Sequence, residues 1–177
     1  MWSARQRLSA WVVVTALCNP CAAAPLETAH PDINPDVYIA SHRGTLVPAG
    51  RLEIDGRRMA CGQWPTVLDP DQEDFGIALP GFLILNPNRF AGLATAVKLW
   101  IFSHECAHET VGKDETKADC VAVQRGRREG WLTGSGLDQV CDFMRPALQD
   151  RQHADGTQRC ERMRQCFQDD KPTSHSR

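Results

Sequence analysis

Apolar and polar positions alternate over short distances in the first half of the chain and at helical spacing in the second. Between Thr45 and Val67 the pattern breaks into brief runs, TLVPAG, RLEIDGRRMACG and WPTVL. Each is punctuated by Gly or Pro, which predicts short strands, with Asp55-Gly56 as a turn. In GFLILNPN, Phe82 to Leu85 are apolar without alternation and lead into Asn-Pro-Asn, the pattern of a short buried strand ending in a turn. From Arg89 to about Thr110 the spacing lengthens. Leu93, Val97, Trp100, Ile101 and His104 fall at i, i+4, i+7, i+8 and i+11, one face of an α-helix that Gly112 stops. Asp114 suits the N-cap of a second helix, Glu115 to about Glu129, ended by Gly130. Thr133 or Ser135 opens a third helix through Cys141 and Met144, and after a loop at residues 150–156 a last helix carries Cys160 and Cys166. The expected fold class is α+β, mainly α, with a short N-terminal β region and a helical C-terminal half.

The two ends of the chain read differently. Arg5 and Arg7 precede the apolar run LSAWVVVTAL and the small residues of CAAAP, the order of a secretory signal peptide over residues 1–23 with cleavage after Ala23. The run is too short to span a bilayer. Residues 24–44, rich in Pro, Asp and Asn, are expected to form a flexible arm, 45–170 a single domain, and 171–177 a disordered tail.

Composition is that of an ordinary globular protein: 177 residues, 42% hydrophobic, 24% charged, net charge −2. Loss of Arg5 and Arg7 with the leader would bring the mature charge to about −4. That balance gives no general attraction to nucleic acid or to an anionic membrane. The one basic concentration, Arg125, Arg127 and Arg128, reads as a solvated helix end. The acidic stretch DPDQEDFG, from Asp69 to Gly76, reads as an exposed loop.

Of the eight cysteines, six follow the leader: Cys61, Cys106, Cys120, Cys141, Cys160 and Cys166. An even number in an exported chain argues for disulfides in an oxidising compartment, periplasmic or extracellular. The mature part has no C-x₂-C pair, which argues against a cysteine-ligated zinc ribbon. A Cys106–Cys120 bridge would clamp the two central helices together, and a pair drawn from Cys141, Cys160 and Cys166 would tie the C-terminal ones.

The chemistry concentrates in SHECAHE, residues 103–109, which contains H-E-x-x-H as His104, Glu105 and His108. On a helix, positions four apart face the same way, so the two imidazoles stand where one Zn²⁺ could be chelated. Glu105, at the edge of that face, could hold a metal-bound water and take its proton. The bland alternative is a pair of helix-end histidines favoured by the helix dipole. A third ligand is offered just downstream. Asp114 is six residues after His108, the metzincin spacing, although Val111 stands where that pattern has Gly. Glu115 and Asp119 are four apart on the next helix, so Glu115 could bind metal while Asp119 receives the free N–H of a ligating histidine.

H-E-x-x-H followed by E-T-K-A-D (Glu115 to Asp119) resembles the gluzincin metalloproteases related to the CAAX prenyl protease and the heat-shock membrane proteases. The chain is also similar to small exported bacterial proteins built around HECAH and ADC. The resemblance covers roughly residues 90–165 and implies a zincin-like domain in which Glu115 is the third zinc ligand and Asp119 supports the site. His153 and Arg159 in HADGTQR resemble that group's H-P-x-x-x-x-R segment, with Ala154 in place of Pro, which implies that they face substrate or the oxyanion. The expectation is therefore an exported zinc-dependent peptidase acting on peptide or protein substrates, with Glu105 as general base and Phe82 to Leu85 as a strand edge for the substrate. The competing expectation is a disulfide-braced metal-binding or protein-interaction domain without turnover. Nothing in the sequence specifies an oligomer.

Overall fold

The computed structural model describes residues 33–147 and 154–169. The expected signal peptide, the expected tail and the first part of the expected arm lie outside these residues. About 51% of the described chain is helix and 17% strand, the α+β class expected. No helix among the described residues is long and apolar enough to cross a membrane.

Strands β1 (Thr45–Val47), β4 (Thr66–Leu68), β5 (Gly76–Leu79) and β6 (Phe82–Leu85) form one sheet in the order β1-β4-β6-β5. The β4–β6 pair is parallel and the other two pairs are antiparallel. Strands β2 (Leu52–Ile54) and β3 (Arg57–Met59) make a separate hairpin. Its turn is Asp55-Gly56, both at positive φ (48° and 80°). That is the backbone a tight hairpin turn demands, and Asp and Gly tolerate it best.

All four residues of β6 are buried because the sheet is covered on both faces. Phe82 and Ile84, with Val67, pack against Tyr38 and Ile39. Leu83 and Leu85 pack with the hairpin's Leu52, Ile54 and Met59 and with Leu99 and Phe102. A strand buried on both sides has no polar face, hence the unbroken apolar run. The expectation that β6 offers an edge is corrected by the same observation. It lies between β4 and β5, so both its backbone edges are paired, and the free edge next to the helices belongs to β5.

Three further expectations change. Residues 35–41 of the supposed arm form α1 (Pro35–Ser41), started by Asn34, whose side chain accepts from Val37 N, and by Pro35 in the first turn. The long helix from Arg89 is two: α2 (Pro87–Phe90), capped by Asn86, and α3 (Thr95–Val111), parted by Gly92 at φ 80°. Asp69, expected in solvent, is buried and accepts from the Tyr38 hydroxyl at 2.7 Å and from Asp71 N at 2.9 Å.

The remaining helices follow their local signals. Asp114 caps α4 (Glu115–Arg128) by accepting from Lys117 N, and Thr133 caps α5 (Gly134–Met144) by accepting from Gly136 N. The last helix, α6, spans Gly156–Asp169. Helices α3 to α6 share one core around Trp100, Ile101, Val123, Val140 and Met163. The basic run at the end of α4 is more engaged than a solvated helix end. Arg125 donates to Ala60 O (2.9 Å) and Glu129 (2.7 Å), and the Arg127 guanidinium sits 4.9 Å from the Phe167 ring centroid and donates to Phe167 O.

Three disulfides brace the domain: Cys61–Cys106, Cys120–Cys166 and Cys141–Cys160. The Cys141–Cys160 bridge ties α5 to α6 as expected. The Cys106–Cys120 bridge does not occur, because the two sulfurs leave their helices on different sides. Cys106 faces the hairpin cluster and joins Cys61, while Cys120 on α4 joins Cys166 on α6. Each bridge closes a loop in the unfolded chain and is worth roughly 2–5 kcal/mol in a small domain.

Candidate metal centre

Helix α3 delivers His104, Glu105 and His108 from its last two turns, and α4 delivers Glu115 from its first. Gly112, at φ 61°, turns the chain between them, and its N–H caps His108 O at 3.1 Å. The two imidazoles meet as the four-residue spacing requires, with Nε2 atoms 3.3 Å apart. Glu115 comes to the same point, Oε2 3.1 Å from His104 Nε2 and Oε1 3.7 Å from His108 Nε2. Asp114, six residues after His108, is turned away and spends its carboxylate on the α4 cap and on Lys117 Nζ at 3.0 Å.

Both rings are held from behind. His108 Nδ1 is 2.6 Å from Gly112 O, a carbonyl that can only accept, so Nδ1 donates there and Nε2 is the nitrogen that faces Glu115. His104 Nδ1 is 3.0 Å from Asp119 Oδ1, a close ion-pair contact rather than an aligned hydrogen bond. Asp119, only 2% exposed, is in turn gripped by Arg159, whose Nε and Nη2 each donate to a separate carboxylate oxygen at 2.8 Å. This fork is how a buried carboxylate stays charged: burial alone would raise the Asp119 pKa, but Arg159 and His104 outweigh it and hold it below the usual range. Arg159 is thus committed to Asp119 while also lining the cleft, its guanidinium 5.8 Å from the Trp100 ring centroid. His153 falls outside the described residues.

The electrostatics favour a cation between the imidazoles and Glu115. Burial would lower the His104 pKa, yet Asp119 and Glu115 outweigh it and push it up to about 9. A proton and a metal ion compete for the same Nε2 lone pair, and either would balance the carboxylates facing it. Glu105 is raised by burial against the pull of His104 and His108, and it accepts from Ala78 N–H on β5. A carboxyl moved up toward neutrality is suited to taking and returning a proton.

Four groups that sequence reasoning left out complete the site. Strand β5 lies along α3, and Gly76 makes this approach possible: a Cβ there would stand 3.0 Å from Glu105 Cγ and 2.9 Å from Leu85 Cδ2. Trp100, Phe75 and Phe143 line the same cleft, of about 1120 Å³, that opens onto His104, Glu105, His108 and Glu115. A lone glycine in an acidic loop and two phenylalanines far apart in sequence carry no signal that could have assigned them to one site, whereas Trp100 lies four residues before His104 on the same helix face.

No protein-family model, curated protein or solved structure matches the chain. Among the described residues two groups could hold a metal ion, His104/His108/Glu115 and Cys61/Cys106/Glu109. The sulfurs of the second are joined in a disulfide and offer no thiolate. The first is the candidate metal centre.

Proposed function

We propose that this chain is an exported zinc-dependent peptidase of the gluzincin type. The observation that carries the reading is the convergence of His104 Nε2, His108 Nε2 and a Glu115 oxygen beside Glu105 on the wall of an open cleft. Two nitrogens held about 2.0–2.1 Å from a tetrahedral ion stand roughly 3.3–3.4 Å apart, and the two Nε2 atoms are 3.3 Å apart. Three protein ligands with nitrogen and carboxylate donors are the composition of a catalytic zinc site, whereas structural sites close with four. The three disulfides fit an oxidising compartment.

Zinc, when bound, supplies Lewis acidity that activates water and polarises the scissile carbonyl. The chain does the rest. His104, His108 and Glu115 would hold the ion, with Asp119 and Gly112 O steadying the two rings from behind. Glu105 accepts the proton of the attacking water and returns it to the leaving amine. The free edge of β5, rather than β6, is the strand beside which an extended peptide would lie. The mature protein should contain about one zinc, Glu105→Gln should keep the metal but lose hydrolysis of a mixed peptide library, and Glu115→Ala should lose the metal. A protein that takes up no zinc at neutral pH ends this reading, and one that binds zinc without cleaving is the metal-binding domain instead.

A further inference from the structure

The cleft is not uniformly polar. From His104 a continuous series of rings leads away from the candidate metal centre: Trp100 with its centroid 5.5 Å from the His104 ring, Phe143 at 6.4 Å from Trp100, and Phe75 at 5.1 Å from Phe143. The last two contacts are edge-to-face, the arrangement in which aromatic rings attract. The three residues come from α3, α5 and the segment before β5, so the fold assembles this wall from distant parts of the chain. Phe75 and Phe143 are only half-buried while lining the cleft, and Ile101 and Met144 line it beside them. One polar atom in this wall is unaccounted for. Trp100 Nε1 is buried, and no acceptor meets it. Enclosed within the wall, this N–H reports on how the rings pack.

Resting on the peptidase reading, we infer that the site selects peptides carrying a bulky apolar side chain next to the scissile bond, with Phe75, Trp100 and Phe143 forming the wall that receives that side chain. Such a side chain supplies what the half-buried rings lack, an apolar body to cover them. A charged side chain would lose hydration against the rings, whose charged neighbours are the Arg89 guanidinium, 5.5 Å from the Phe75 centroid, and that of Arg159, 5.8 Å from the Trp100 centroid and already engaged by Asp119. Glycine would leave the rings wet. Discrimination of at least about tenfold between a large apolar residue and glycine follows from the burial of one such side chain.

Two measurements test this. In the isotope-labelled mature protein, the Trp100 indole N–H signal, assigned with Trp100→Phe, is followed while blocked Gly-Gly-X-Gly-Gly peptides are added with X as Phe, Leu, Gly or Glu. The Phe and Leu peptides should move the signal at concentrations about tenfold or more below those needed for Gly or Glu, and Phe143→Ser should erase that difference. This readout needs neither zinc nor turnover. An equal response to all four peptides, or no response to any, overturns the pocket. In parallel, zinc-loaded protein is given a randomised peptide mixture and the cut sites are sequenced. Enrichment of large apolar residues on one side of the cut supports the inference, and cleavage without it overturns the inference while leaving the peptidase standing. A selective Trp100 response with no cleavage would do the reverse.

Discussion

Helices α3 and α4 on one side, and α1 and α6 on the other, are held in place by different means. Helix α3 buries much of its length, including Leu99, Trp100, Ile101 and Phe102, and α4 buries Ala118, Ala122 and Val123. Helix α6 buries only Gly156 and Met163, and α1 buries nothing. What α6 lacks in apolar contact is made up by two disulfides, by Arg127 on Phe167 and by the Arg159–Asp119 fork. Helix α1 is tethered by Tyr38. The residues of the candidate metal centre thus sit on helices that hydrophobic packing alone would keep in register, while the group steadying Asp119 arrives on a helix that is strapped on. The candidate site divides the same way, into a packed part that places ligands and a strapped part that orients one of them.

The difference is broken most strongly from the packed side. Phe102 is almost fully buried between α3 and the β2–β3 hairpin, so Phe102→Ala should cost about 3–5 kcal/mol. Denaturant titration should show one lowered transition with an unchanged slope. On the strapped side, replacing Cys141 and Cys160 together by Ala should cost roughly 2–4 kcal/mol, but locally. Hydrogen exchange should show α6 amides losing protection while those of α3 keep theirs. If both helices lose protection together, α6 belongs to the packed core and the contrast is false.

A smaller effect sharpens the link between the two parts. Arg159→Met removes the fork from Asp119 without touching His104, His108 or Glu115. Loss of such support behind a ligating histidine lowers metal affinity about 10–100-fold. Competition for zinc against a chelator measures it. Arg159→Lys, which keeps the charge but not the two parallel donors, should fall between wild type and Met. Unchanged affinity in Arg159→Met would mean that Asp119 orients His104 unaided.

What could be read from the sequence is what local chemistry dictates. Asp114, Thr133, Gly112 and Gly130 mark helix ends because caps and left-handed turns depend on the residue itself. His104 and His108 could be paired in advance because four residues of helix fix their separation, and Glu115 because it opens the next helix. The neighbours of Phe82 to Leu85 could not be read: an apolar run announces burial but not which strands flank it, so the free edge was misplaced by one strand. Disulfide pairing is equally non-local, since Cys106 and Cys120 lie close in sequence on helices whose facing sides are set by the whole core. The role of Arg159 depends on a partner 40 residues away. Gly76 matters only because β5 and α3 touch, a contact no single sequence reveals.

The smallest expected effect concerns α1. Tyr38 is the only tyrosine in the chain, so its titration can be followed by ultraviolet absorbance without assignment. Burial first, and then its hydrogen bond to the Asp69 carboxylate and the charge of that group, push its pKa up from 10.0 to about 12. A pKa raised on folding means that the neutral phenol is the form the fold prefers. The contribution is whole below pH 10 and is lost as pH rises from 10 toward 12. Phenolate absorbance should therefore appear near pH 12 in the folded protein, and Asp69→Asn should bring it back toward 10. Because α1 has no fully buried residue and meets the sheet through Tyr38 and Ile39, alkali should release α1 before the amides of α3 lose protection. Titration of Tyr38 near its ordinary value in the wild type would show that the hydroxyl tether does not hold α1 in solution.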